Sequence, residues 1–181
     1  MTHGTQPDTT IPLIVVCGVS GSGKSTIGAL LAARLSVPFI DGDALHPAEN
    51  VAKMSAGTPL DDDDRRPWLD RIADEISAAR ESGTGLVVAC SALKSAYREV
   101  IRRGADDVFF AQLLLSADVL LERVSSRPGH FMPAALVPSQ LAALEPLAEA
   151  ECGVELDAAA APDDLVAEII AGHADSAARD D

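Results

Sequence analysis

Residues 17–26, CGVSGSGKST, place Gly18, Gly21 and Gly23 within six positions, after an apolar run and before a helical pattern. So much glycine makes a poor helix and a poor strand, but it suits a tight curl that leaves its N–H groups free. Gly18 to Ser25 reads G-x-x-x-x-G-K-S, the pattern of a phosphate-binding loop. Loop amides and a helix N-terminus both carry partial positive charge and so cradle phosphates. Chance supplies the pattern in roughly one chain in a hundred of this length, and the required strand before and helix after make it rarer still. Gly18, Val19, Ser20, Gly21, Ser22, Gly23, Lys24, Ser25 and Thr26 are therefore the expected nucleotide-binding residues. Lys24 is expected to reach the β- and γ-phosphates of ATP, and the Ser25 hydroxyl to bind Mg²⁺.

The rest of the chain repeats the same alternation. Strands are expected at 11–17, 37–41, 85–92, 108–115 and 153–156, and helices at 24–35, 47–55, 61–83, 94–103, 117–126, 139–145 and 163–171. Strand and helix in turn imply a parallel sheet with helices on its faces, an α/β fold. The segment PGHFMP (128–133) interrupts the pattern. Residues 1–10 and 172–181 are polar, lack periodicity and are expected to be disordered tails, leaving one domain over 11–171.

Net charge is −14 with only three lysines, Lys24, Lys53 and Lys94. Such a surface repels nucleic acid and anionic membrane, so neither is an expected partner. An anionic ligand would need a local cationic pocket, which makes the placement of the few cations informative. No long apolar run or signal-like N-terminus is present, and Cys17, Cys90 and Cys152 have no metal spacing. A soluble cytoplasmic protein with reduced thiols is expected.

A phosphate loop alone does not separate a switch from an enzyme. A guanine-reading Asn-Lys-x-Asp is absent, since Asn50 is the single asparagine. The third strand ends in Cys90 and Ser91, where a motor ATPase would carry a metal-holding acid. Acids instead close the second strand, as Asp41 and Asp43. If extended, that segment points both to one side, where one carboxylate can support the metal and the other take a hydroxyl proton. Asn50 with Lys53, and Lys94 with Arg98 beside Tyr97, share helix faces that could supply the cationic pocket. Arg123 and Arg127, four apart before Pro128, suit the base of a lid over a triphosphate spanning about 126–138. His46 and His130 are compatible with a plain surface, and Trp68 with the core. A nucleotide sensor without catalysis is the alternative from another class.

These residues closely resemble the bacterial-type gluconate kinases, a branch of the P-loop kinases that includes shikimate kinase. The resemblance lies in DGDALHPAENVAKMSAGTPLDDDDRRPWL (41–69), CSALKSAYR (90–98), RPGHF (127–131) and SQLAALEP (139–146), with Leu141 where the family more often has Phe. It implies a three-layer α/β/α fold, a five-stranded parallel sheet of order 2-3-1-4-5 with a lid, and commonly a homodimer. It also implies transfer of the ATP γ-phosphoryl group to the 6-hydroxyl of D-gluconate. Asp41 would then support Mg²⁺, Asp43 would orient or deprotonate the hydroxyl, and Arg127, with Arg123 nearby, would close over the transferring group. His46, Lys53, Arg65, Lys94 and Arg98, with His130, become the candidates for the acceptor's carboxylate and hydroxyls. Another small polyol acid, such as shikimate, is the competing acceptor.

Overall fold

The computed structural model describes residues 11–126 and 134–179. Five strands, β1 (Leu13–Gly18), β2 (Phe39–Asp41), β3 (Leu86–Ala89), β4 (Phe109–Leu114) and β5 (Gly153–Asp157), form one sheet of order β2-β3-β1-β4-β5. Every pairing is parallel, with Val15 registered against Val88 on one side and Phe110 on the other. The helices are α1 (Lys24–Leu35), α2 (Ala48–Ser55), α3 (Asp62–Ser82), α4 (Ser95–Ile101), α5 (Ala117–Ser125), α6 (Val137–Ala143) and α7 (Pro162–Ala177).

β1 is buried along its whole length because both sheet faces are covered. Its alternate residues serve the two sides. Leu13, Val15 and Cys17 pack with Trp68, Ile72 and Ile76 of α3 and Ile101 of α4. Ile14 and Val16 pack with Ile27 and Leu31 of α1 and with Leu165 and Ile169 of α7. This is the three-layer architecture that the resemblance implied. α3 starts at a reciprocal capping box, in which Asp61 and Asp64 each bond the other's backbone N–H, and stops at Gly83 with φ 70°. Gly18 has φ 140°, and a Cβ there would lie 2.5 Å from the Leu113 carbonyl oxygen, so the end of β1 accepts only glycine.

Three expectations need correction. The last helix continues to Ala177, so the described part of the supposed 172–181 tail is largely helical. There the His173 ring packs edge-on against Phe109, with centroids 5.6 Å apart. The strand expected at 37–41 is only Phe39–Asp41, because the Val37 N–H still bonds back to the Ala32 carbonyl at the end of α1 and Pro38 has no N–H to give; past Asp41 the chain tightens into a 3₁₀ turn at Gly42–Leu45. The third correction concerns Arg98, which is fully buried and takes no part in a ligand pocket.

The Arg98 guanidinium donates from Nε and Nη2 to the two Glu151 carboxylate oxygens, at 2.7 and 2.8 Å. It also donates to the carbonyls of Ala92, Glu145 and Pro146, at 3.3, 3.2 and 2.9 Å. Arginine's planar fork suits such a junction. The bonds pin the segment after α6 against the loop after β3, where Ala92 holds a left-handed φ of 35°. Arg98→Met would strand the enclosed Glu151 carboxylate. Urea unfolding should show a loss of about 3–5 kcal/mol, and Glu151→Leu in the same chain should restore part of it.

Candidate active site

Strand order brings the carboxyl ends of β1, β2 and β3 to one rim, where open α/β sheets bind ligands. The loop after β1 is tied to the loop after β3 by Gly18 N–H donating to the Ser91 carbonyl at 3.2 Å. Ser22 N–H donates to the Val19 carbonyl at 3.1 Å, and the Lys24 ammonium donates to the same oxygen at 3.1 Å. The lysine is therefore folded back over its own loop. Burial lowers its pKa, opposed by the carboxylates of Asp43 first and Asp41 second.

Asp41 joins the loop to the second strand. Its Oδ2 accepts the Ser25 hydroxyl at 2.7 Å, and its Oδ1 accepts the Asp43 N–H at 3.1 Å. Asp43 sits in the 3₁₀ turn and not in an extended segment, so strand alternation is not what aims it. The turn does that. The turn is held from behind, where Trp68 Nε1 donates to the Gly42 carbonyl at 2.7 Å. A Cβ on Gly42 would lie 2.7 Å from the Ala89 carbonyl oxygen. Trp68 also stacks on His46, with ring centroids 4.2 Å apart and planes 14° apart. Burial, then the charge of Arg65, lowers the His46 pKa to about 4, so its ring is neutral at pH 7.

Lys24, Asp43, His46, Arg65 and Ser91 line a throat of about 20 Å³. Past Leu60 and Arg65, which line both spaces, lies a cavity of about 590 Å³ that includes Asp62, Lys94 and Ser139. On its wall Asp62 accepts from Lys94 at 2.8 Å and from the Tyr97 hydroxyl. Arg65 lies over the Tyr97 ring, 5.5 Å from its centroid, and Lys94 lies 5.3 Å from it. Hydrogen bonding to Lys94, then to Tyr97, lowers the Asp62 pKa. On the other side of the loop, Gly21, Ser22, Gly23, Thr26 and Arg123 border a cavity of about 360 Å³.

The structure thus gathers Ser20, Lys24, Asp43, His46, Arg65 and Lys94 around two adjoining spaces, with Ser25 and Asp41 bonded to each other and Asp41 to the Asp43 backbone. It does not bring in Lys53, which pairs with Asp64 and lies 3.7 Å from Asp61 at the start of α3. Arg127 and His130 lie outside the described residues, as do residues 127–133 of the lid expected over about 126–138; its residues 134–138 form a 3₁₀ turn at Ala134–Leu136 and the start of α6. Gln140 and Tyr97 were not singled out as ligand residues by the sequence. Gln140 Oε1 accepts the Ser20 N–H at 2.7 Å; its sequence signals were an amide inside a Leu/Ala helix and its place in the family-like segment SQLAALEP, neither of which assigned it a role.

A parallel sheet of this order, carrying a phosphate loop between β1 and α1, is the framework of a P-loop kinase. The shikimate kinase family model matches residues 20–170, and the chain belongs to that family of ATP-dependent kinases. The chain is 44% identical over 168 residues to the gluconokinase of Gluconobacter oxydans, covering 93% of this chain and 94% of that one. It is 49% identical over 145 residues to the thermosensitive gluconokinase of Escherichia coli, covering 79% and 77%. The crystal structure of a gluconokinase from Sinorhizobium meliloti superposes with a TM-score of 0.79 at 47% identity, covering 90% and 91%.

The His46 shift gives a directed test. Below its ordinary pKa of 6.5 the unfolded chain takes up a proton that the folded ring refuses until about pH 4. The resulting stability is complete above pH 6.5 and is lost as pH falls through that window. His46→Phe keeps a stacked ring but removes the proton. Urea unfolding between pH 6.5 and about 4 should therefore show a shallower loss for the variant than for the parent chain.

Proposed function

We propose that this kinase transfers the γ-phosphoryl group of ATP to the 6-hydroxyl of D-gluconate, giving 6-phosphogluconate and ADP. The observation that carries the reading is the throat shared by Lys24 and Asp43, opening past Arg65 into the larger cavity that holds Lys94. At about 20 Å³ the throat suits the terminal hydroxyl of an extended chain. The larger space suits the remaining carbons, with Arg65 and Lys94 on its wall as the cations to meet the carboxylate, beside Asp61, Asp62 and Asp63. A ring-borne hydroxyl, as in shikimate, fits this shape less well. The names of the bacterial relatives point the same way. The net charge of −14 favours a small acceptor over nucleic acid or an anionic membrane.

In this mechanism the loop amides and Lys24 hold the β- and γ-phosphates, with Thr26 and Arg123 on the nucleotide side and Arg127 as the arginine that would close over the transferring group. Ser25 and Asp41 offer hard oxygen donors already 2.7 Å apart, which fits Mg²⁺, an ion that takes few protein ligands alongside phosphates. Bound there, Mg²⁺ would neutralise phosphate charge. Asp43 orients the acceptor hydroxyl and receives its proton as the oxygen bonds to the γ-phosphorus. His46, neutral at pH 7, offers the acceptor a hydrogen bond without charge. A positioned base contributes roughly 10²–10⁴-fold, so alignment and charge neutralisation supply most of the acceleration.

Among the described residues no helix is long and apolar enough to cross a membrane, and a cytoplasmic homodimer is part of the proposal. The test is ADP release across a panel of sugar acids and shikimate, with the position of phosphorylation read by NMR. Gluconate should turn over and carry phosphate on C6, and Asp43→Asn should lower kcat by about 10²–10⁴-fold. Turnover with shikimate and none with gluconate would overturn the assignment.

A further inference from the structure

The loop's lysine is held by one peptide group, and that group is gripped from the far side. Lys24 Nζ and Ser22 N–H both donate to the Val19 carbonyl, each at 3.1 Å. The N–H of the same peptide unit belongs to Ser20, and it donates to Gln140 Oε1 at 2.7 Å. A trans peptide is planar, so fixing the direction of its N–H also fixes the direction of its C=O.

Gln140 lies on α6, beyond residues 127–133 and 120 positions from its partner. It is 7% exposed, and its neighbours Leu136 and Val137 are 3% and 0% exposed. α6 packs with Val19, Leu93, Leu120 and Val124 in a small apolar cluster of its own. An amide side chain in such a place is disfavoured unless it is bonded, and a leucine would otherwise fill the position. Ser20, Lys24 and Gln140 also line the throat together with Asp43.

We infer that Gln140 is a positioning residue for phosphoryl transfer, acting through the Val19–Ser20 peptide to hold the Lys24 ammonium at the throat. It also gives α6 a direct mechanical link to the phosphate loop. The inference rests on the kinase reading of the site, but not on the choice of gluconate as acceptor. Without the Gln140 oxygen the Ser20 N–H loses its buried acceptor, the peptide is free to rotate, and the Val19 carbonyl no longer keeps Lys24 in register.

The test compares the parent chain with Gln140→Leu, which keeps the bulk and removes the acceptor. Binding of ATP and ADP is read by calorimetry, kcat by ADP release, and folding by the thermal midpoint. Leaving a buried donor unpaired at this peptide should weaken ATP binding about tenfold, and ADP binding less, because the displaced lysine serves the γ-phosphate as well; kcat should fall by about tenfold. A lower thermal midpoint with unchanged kcat and an unchanged ATP-to-ADP affinity ratio would show a packing role alone and overturn the inference. Should the variant not fold, amide hydrogen exchange in the parent chain decides. The Ser20 N–H should exchange slowly without nucleotide, and rapid exchange would remove the grip on which the inference stands. Absence of gluconate turnover in the parent chain would instead count against the proposed acceptor, and the nucleotide-binding comparison would still judge Gln140.

Discussion

A primary ammonium partly closed off from water at the start of the helix that follows a buried strand is unfavourable on its own. Burial lowers the Lys24 pKa, while the Asp43 and Asp41 carboxylates and the Val19 carbonyl favour the charged form. Much of the fold can be understood as what keeps those groups in place. The sheet order puts β3 between β1 and β2, so the ends of all three strands share one rim. Asp41 spans the gap by accepting from Ser25 and from the Asp43 backbone. Trp68, from the middle of the architecture, fastens the turn that carries Asp43.

The cations divide by what surrounds them. Arg98 is enclosed by Glu151 and by backbone carbonyls, and it stabilises the loops behind the site. Lys53 is held by acids at the α2–α3 junction. Lys94 is paired too, with Asp62, and Arg65 bonds the Leu60 carbonyl, but both also border open space, which is the condition for meeting a ligand. A chain carrying a net charge of −14 thus sets Arg65 and Lys94 at one rim, interleaved with Asp61, Asp62 and Asp63 on the same cavity wall, without making its whole face attractive to polyanions.

The framework was legible in the sequence because its signals are local. Strand runs, helical periodicity and the glycine loop each span fewer than about two dozen residues, and together they limit the topology. The placement of Arg98 was not legible. Its four-residue spacing from Lys94 suggests a shared face on an isolated helix, but Glu151, 53 positions away, draws it inward. Asp43 was expected to reach the site by strand alternation and reaches it by a 3₁₀ turn. The 172–177 stretch, GHADSA, lacks an apolar period and is poor in strong helix formers, so it looked frayed, yet packing of His173 on Phe109 accompanies the helix through it. Gln140 was hidden for a similar reason, since its partner is a backbone N–H far away in sequence, and backbone partners leave no residue pattern.

The central claim is that the phosphate loop and the acids closing β2 serve one reaction space. A crystal structure of the chain with a non-hydrolysable ATP analogue and D-gluconate measures this directly. The account predicts the acceptor's terminal hydroxyl within hydrogen-bonding distance of the Asp43 carboxylate, in line with the γ-phosphorus, and Lys24 on the phosphates. An acceptor bound away from the throat, with Asp43 turned from its hydroxyls, would contradict it.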